Sequence, residues 1–126
     1  MGLDNGIVAN HVALKDIPAF VVLRDKDEPI TVAYWRKCWG IRRDILWLLS
    51  GNDQDHNTPV EAEDIPAIVR ILEKFLSKEY WDENAESIWE FDEYVDNLIQ
   101  QIINLKWLYS YMQEHPEVEC YFYDSY

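Results

Sequence analysis

The sequence predicts an α+β fold: a small, mostly antiparallel sheet made of N-terminal strands, a hairpin and a C-terminal strand, with three helices packed on one face. Near both ends of the chain, apolar residues alternate with polar ones, which is typical of strands. Between the ends they recur every three or four residues, which is typical of helices. The length of 126 residues and the apolar fraction of 48% suit a single domain, residues 1–126, with one core.

The strands are predicted at the two ends of the chain. Alternating apolar residues over 7–14 indicate a first strand. Two apolar runs, 19–24 and 30–35, flank the polar residues 25–29 and predict a hairpin. Alternation over 118–123 indicates a last strand, which we expect beside the N-terminal strands because a lone strand leaves its backbone groups unpaired.

The period changes to that of a helix at Trp35. The spacing predicts a first helix over 35–50, followed by a polar loop over 51–59. Across the three predicted helices, the residues expected to be largely buried are Trp39, Leu46, Leu72, Leu98, Ile102 and Leu108.

Two further helices follow the polar loop. Pro66 fits only in the first turn of a helix, so the second helix begins within 61–64 and ends near Lys78. The sequence predicts that the acidic and aromatic stretch that follows, residues 79–94, is an irregular connection. The third and longest helix has an apolar face that starts at Tyr94, and His115 and the proline after it end this helix.

The charge is distributed unevenly along the chain. The net charge is −13. Residues 1–78 carry 12 acidic and 10 basic side chains, whereas residues 79–126 carry 12 acidic side chains and one basic one. This asymmetry argues against direct binding of nucleic acid, which needs a positive field, and favours a partner protein with a basic surface.

The stretch from Glu79 to Asp96 is the main candidate for function, because no basic residue interrupts its carboxylates and aromatic residues lie among them. Carboxylates steer a basic partner, and tryptophans anchor interfaces. The alternative is an ordinary acidic surface whose aromatic side chains point into the core. The predicted partner-binding residues are Glu79, Asp82, Glu83, Glu86, Glu90, Asp92, Glu93, Asp96, Trp81 and Trp89.

A basic cluster near the first helix offers an alternative anion site, formed by Arg36, Lys37, Arg42 and Arg43. Tryptophans beside such a cluster could stack on the bases of a nucleic acid. The favoured interpretation is structural: the tryptophans follow core spacing, and Arg36 or Lys37 contacts carboxylates of the same chain.

No motif for catalysis or for a cofactor is present, so we expect no catalytic residue, no metal, no cofactor and no enzyme activity. The histidines lie in three separate segments. The cluster of Asp53, Asp55 and His56 lacks the glycine and glutamate of a calcium loop and reads as a solvated turn. Cys38 and Cys120 read as buried, reduced residues rather than as a disulfide.

The sequence also predicts a cytoplasmic protein without a membrane segment. No apolar run approaches the ~20 residues that a membrane span needs. No basic head followed by an apolar run marks a signal peptide at the N-terminus.

Three features occur together in this chain: the opening MGLD, the YWRK motif at 34–37, and an aromatic strand after a long last helix. In this order they resemble a family of small proteins encoded by bacteriophages and prophages. Members of that family usually carry an asparagine and a histidine after YWRK, where this chain has CWGIRRDIL. The resemblance implies a phage or mobile-element origin, and hence the cytoplasm of a bacterial host. It implies no catalytic residue.

These observations together predict a phage- or prophage-encoded acidic interaction protein. We expect a counter-defence inhibitor, such as an anti-CRISPR protein or other nucleic-acid mimic, that binds a basic nucleic-acid-handling host protein such as a CRISPR or restriction nuclease. The alternatives are a small enzyme that acts on a nucleotide or nucleic acid through the cluster at 36–43, and a structural homo-oligomer that uses its aromatic edge.

Overall fold

A computed structural model describes residues 4–18, 30–49 and 57–125. It confirms the α+β class and the antiparallel sheet, with four helices in these ranges rather than three. A short 3-10 turn lies at Leu14–Asp16. The strands and helices are, in chain order, β1 (Asp4–Asn10), β2 (Ile30–Arg36), α1 (Trp39–Leu49), β3 (Asn57–Val60), α2 (Asp64–Lys74), α3 (Lys78–Asn84), α4 (Phe91–Glu114) and β4 (Glu119–Ser125).

The sheet has the strand order β2-β1-β4-β3, and all its pairs are antiparallel. β1 lies between β2 and β4, so Ile7 faces Ala33 on one side and Phe122 on the other. The predicted pairing of the C-terminal strand beside the N-terminal strand is therefore confirmed. The second run of the predicted hairpin is confirmed as a strand, β2, which pairs with β1. The first run, 19–24, lies outside the described residues, so the pairing of the two runs stays a prediction.

Part of the predicted polar loop over 51–59 is a strand. β3 pairs with β4, and Thr58 lies opposite Phe122. β3 is the last strand in the sheet order, a position that tolerates Pro59. A strand of four residues that contains a proline has too few positions to show alternation, so tertiary pairing decides its structure. Residues 51–56 lie outside the described ranges.

α1 begins at Trp39, four residues later than predicted, because β2 continues to Arg36. Trp35 is buried while its neighbour Arg36 is exposed, as the alternation of a strand requires. Lys37 then adopts a positive φ of 54°, which separates the strand from the helix. Trp39 was predicted to be buried, but 42% of it is exposed, because it stands at the first position of α1 instead of one turn inside it.

The other helices lie close to their predicted positions. Pro66 is the third residue of α2, within the first turn as predicted. α2 ends at Lys74 rather than near Lys78, because a separate helix, α3, begins at Lys78. α2 packs on α1 and α4, and α4 lies along β2. The buried apolar residues form one cluster, and it includes five of the six residues predicted to be buried: Leu46, Leu72, Leu98, Ile102 and Leu108.

Polar side chains of α4 cover the outer edge of β2. Gln101 Oε1 accepts a hydrogen bond from the backbone N–H of Tyr34 at 3.0 Å. Asn104 Nδ2 donates to the carbonyl oxygen of Val32 at 3.0 Å. Gln101 and Asn104 are both buried, so α4 takes the place that a further strand would occupy along this edge.

A candidate protein-docking surface

The acidic and aromatic stretch is helical over much of its length, which corrects the prediction of an irregular connection. Ser77 caps α3, with its hydroxyl accepting from the N–H of Tyr80 at 3.4 Å. At the start of α4, Glu90 and Glu93 form a capping box in which Glu93 Oε1 accepts from the N–H of Glu90 at 3.0 Å. These caps fix both helix starts and therefore the directions of the side chains they carry.

The aromatic residues of this stretch face inward. Trp81 is only 3% exposed, and its indole lies 5.1 Å from the ring of Tyr94 and 6.1 Å from that of Phe75. Its N–H donates to the carbonyl of Trp89 at 3.1 Å. The half-buried Trp89 donates in turn to the carbonyl of Arg36 at 3.0 Å. Trp81 and Trp89 were predicted as partner-binding anchors; Trp81 belongs to the core, and the polar group of Trp89 is used within the chain.

The carboxylates of the same stretch face outward, as predicted. We call these eight residues the acidic surface: Glu79, Asp82, Glu83, Glu86, Glu90, Asp92, Glu93 and Asp96 are all exposed. The separation of aromatic residues inward and carboxylates outward follows from the helical period of α3 and from the first turns of α4.

Only part of this negative charge is neutralised within the described residues. Lys78 Nζ lies 2.9 Å from Asp82 Oδ2, an exposed pair one helical turn apart that raises the pKa of Lys78. Arg43 Nη1 lies 2.7 Å from Glu86 Oε2. In the ranges that the structure describes, Glu83, Asp92 and Asp96 have no cationic side chain within ion-pair distance.

The loop between α3 and α4 is held against the start of α1. Ser87 forms an isolated antiparallel bridge with Cys38, and its hydroxyl donates to the carbonyl of Lys37 at 2.6 Å. The N–H of Gly40 donates to the carbonyl of Ala85 at 2.8 Å. Glu86, between these two contacts, has a positive φ of 50°. The acidic surface is thereby connected to α1 through a tightly fixed loop.

Two of the four basic residues of the alternative anion site, Arg42 and Arg43, are engaged by neighbouring groups of the same chain. Arg42 is only 5% exposed, with its guanidinium 5.4 Å from the centre of the Trp39 ring. Arg43 lies between Asp44 and Glu86 and also donates to the carbonyl of Asn84 at 3.3 Å. The predicted neutralisation by carboxylates of the same chain is thus seen at Arg43; for Arg36 and Lys37 it stays a prediction.

Sequence reasoning missed the two most exposed large apolar side chains of the described residues. Trp47 on α1 is 60% exposed, and Ile88 in the loop before α4 is 68% exposed. Trp39, at the start of α1, is 42% exposed. Trp47 lies within the apolar run Ile45 to Leu49, and Ile88 precedes Trp89, so the local sequence did not distinguish these exposed side chains from core residues.

Neither cysteine is suited to nucleophilic chemistry. Burial raises the pKa of the Cys38 thiol and of the Cys120 thiol to about 12, and both residues are reduced. Across residues 4–18, 30–49 and 57–125, no three His, Cys, Asp or Glu side chains are grouped as a metal ion would require. Asp53, Asp55 and His56 lie outside these ranges.

A comparison of this chain with known protein families, with curated proteins and with solved structures found no match. Among the helices of the described residues, none is both long and apolar enough to cross a membrane.

Proposed function

We propose that this chain binds a basic protein through the acidic surface, and that it acts as a phage- or prophage-encoded counter-defence inhibitor in the cytoplasm of a bacterial host. The observation that carries the proposal is the outward orientation of all eight carboxylates on a scaffold whose aromatic residues are packed inside. Like charges repel one another and reduce the stability of a compact chain, so a row of them that is neutralised only in part within the described residues is best explained by a basic partner.

The rigidity of the scaffold supports a specific interface. The caps of α3 and α4, the hydrogen bonds of Ser87 and the ring contacts of Trp81 fix the surface before any partner arrives. A surface that is already ordered loses little conformational entropy on binding. Carboxylates arranged in this way increase the rate of encounter with a basic protein and disfavour an acidic one.

The proposed partner is a protein that itself handles nucleic acid, such as a CRISPR or restriction nuclease. The nucleic-acid site of such an enzyme is basic because it must attract phosphates, and the acidic surface offers negative charge of the same kind. The resemblance to phage and prophage proteins is consistent with a target in the defence systems of a bacterium.

The enzyme alternative has less support from the geometry. It requires an anion site at the basic cluster, yet Arg42 is buried against Trp39 and Arg43 is paired with Glu86. A phosphate at this site would compete with Glu86 for Arg43 and would have to reach the buried Arg42.

A DNA-cleavage assay with a panel of purified CRISPR and restriction nucleases tests the proposal. We expect the wild-type chain to inhibit at least one of them, and we expect excess substrate DNA to relieve the inhibition, because both ligands compete for one basic site. The acidic triple variant Glu83→Gln/Asp92→Asn/Asp96→Asn should inhibit much more weakly.

The matched control is a triple variant that loses the same charge elsewhere, Glu73→Gln/Glu114→Gln/Glu119→Gln, whose three positions are exposed and lie outside 79–96. It should inhibit as the wild type does. Equal inhibition by both triple variants would reject the acidic surface as the binding site, and inhibition of no nuclease would reject this class of target.

A further inference from the structure

We infer that the groove between α2 and α4 binds a small organic anion, a carboxylate attached to an apolar body of about eight to ten carbon atoms. This site is separate from the acidic surface and does not depend on the proposed function. Its ligand is selected by two cationic side chains on the rim of the groove, Arg70 and Lys106.

The groove has a volume of about 410 Å³ and is lined by one face of each helix. This volume falls within the range of about 300–1,000 Å³ that is usual for small-molecule sites. Residues three or four apart are neighbours on a helix surface, and the lining residues follow that spacing. They are Ile65, Pro66, Val69, Arg70 and Glu73 from α2, and Lys106, Tyr109 and Ser110 from α4.

The bottom of the groove is apolar. Ile65 and Val69 line it although both are buried, so they lie at its bottom. Pro66 and Tyr109 are half-buried and line its sides. An apolar bottom with a few polar groups at the edge is the usual composition of a site for a small molecule.

The rim of the groove carries one cation on each side. Arg70 stands on the α2 side and Lys106 on the α4 side, and both are exposed. In the ranges that the structure describes, neither has a carboxylate within ion-pair distance, although Glu73 lines the same groove. Such an arrangement, in a chain with 24 acidic and 11 basic residues, favours an anion that comes from outside the chain.

Charge and apolar surface together select the ligand. Two cations and one carboxylate line the groove, so its local charge is positive although the chain as a whole is negative. Inorganic phosphate would pair with the cations and leave the apolar bottom uncovered, whereas a cationic amphiphile would cover the bottom and be repelled by the rim. An alkyl carboxylate satisfies both parts, and the hydroxyls of Tyr109 and Ser110 provide further donors for its oxygens.

Calorimetric titration of the full chain with octanoate, kept below the concentration at which it forms micelles, tests the site. Octyltrimethylammonium, which carries the opposite charge on the same alkyl chain, and inorganic phosphate are the comparison probes. Arg70→Gln/Lys106→Gln removes both cations, and Ser110→Trp fills the groove while it keeps them. The matched control is Lys15→Gln/Lys74→Gln, which loses the same charge at exposed positions that do not line the groove.

We expect octanoate to bind the wild type and the control alike, within about twofold, and to bind each groove variant at least about tenfold more weakly. Both comparison probes should bind the wild type more weakly than octanoate does. Raising the salt concentration from about 0.05 M to about 0.3 M should weaken octanoate binding, because the rim charges are exposed and screened. Backbone amide NMR signals of Val69, Arg70, Lys106 and Ser110 should shift when octanoate is added.

Absence of octanoate binding, or wild-type affinity in either groove variant, would overturn the inference. Phosphate that binds as tightly as octanoate would mean that the apolar bottom contributes nothing, and octyltrimethylammonium that does so would mean that the cations do not select the ligand; either result overturns it as well. NMR shifts confined to residues outside the groove would place the octanoate elsewhere and reject this site. None of these results bears on the acidic surface, because inhibition of a nuclease is measured separately.

Discussion

Gly40 is the residue on which the connection between α1 and the acidic surface depends most closely. A Cβ atom at this position would lie 1.9 Å from the carbonyl oxygen of Asn84 and 2.9 Å from Cα of Ala85, so the two backbones touch. We predict that Gly40→Ala lowers the free energy of unfolding by about 1–3 kcal/mol, because the loop must move away from the helix.

Chemical denaturation measures this effect, with Ser110→Ala at an exposed position of α4 as the control. A Gly40→Ala variant as stable as the wild type would contradict the close contact between α1 and the loop.

The two thiols provide a second test at the scale of single residues. The thiolate is the reactive form, and a pKa of about 12 at both Cys38 and Cys120 leaves almost none of it at about pH 8. We therefore predict that the folded protein reacts with an aromatic disulfide reagent far more slowly than the denatured protein, in which both thiols recover their ordinary pKa. Rapid modification of either cysteine under native conditions would contradict the burial of that residue.

At the scale of elements, α4 protects the sheet as well as completing the core. Asn104 is buried and donates to the carbonyl of Val32, while Gln101 accepts from the N–H of Tyr34. We predict that Asn104→Ala lowers the free energy of unfolding by about 1–3 kcal/mol, because it leaves a buried carbonyl unpaired.

The control on the same helix is Gln113→Ala, which changes an exposed amide. Urea denaturation of the two variants gives the comparison. Equal stability would mean that the contact between α4 and the edge of β2 contributes nothing.

The elements that the sequence predicted well are those whose pattern extends over several turns or alternations. α2 and α4 have long apolar stripes, and β4 alternates clearly. β3 and α3 were missed because four and seven residues are too few to show a period. Trp39 was misplaced because its spacing of four from Trp35 suggested a helix, although Trp35 lies in β2.

The candidate site was predictable in its charges and not in its apolar residues. Exposure of the eight carboxylates follows from the cost of burying a charge, which holds in any fold. The direction of an aromatic side chain depends on which elements pack around it, and a sequence without a clear period does not reveal this. Trp81 was therefore expected outside and lies inside, whereas Trp39 was expected inside and is partly exposed.

For the whole molecule, the excess of negative charge should cost stability. Asp92 and Asp96 lie one turn apart on α4, and like charges at this spacing repel each other. We predict that the acidic triple variant Glu83→Gln/Asp92→Asn/Asp96→Asn has a Tm equal to or higher than that of the wild type. A thermal melt checks this, and a clearly lower Tm would show that these carboxylates stabilise the fold.

The association rate with an inhibited nuclease is the most direct test of the acidic surface as a docking site. Stopped-flow measurements at about 0.05 M and about 0.3 M salt would compare the wild type with the acidic triple variant and with Glu73→Gln/Glu114→Gln/Glu119→Gln. We predict that the acidic triple variant associates several-fold more slowly at low salt, with a weaker dependence on salt, while the control triple variant behaves as the wild type does. Equal rates for the two triple variants at both salt concentrations would contradict this prediction.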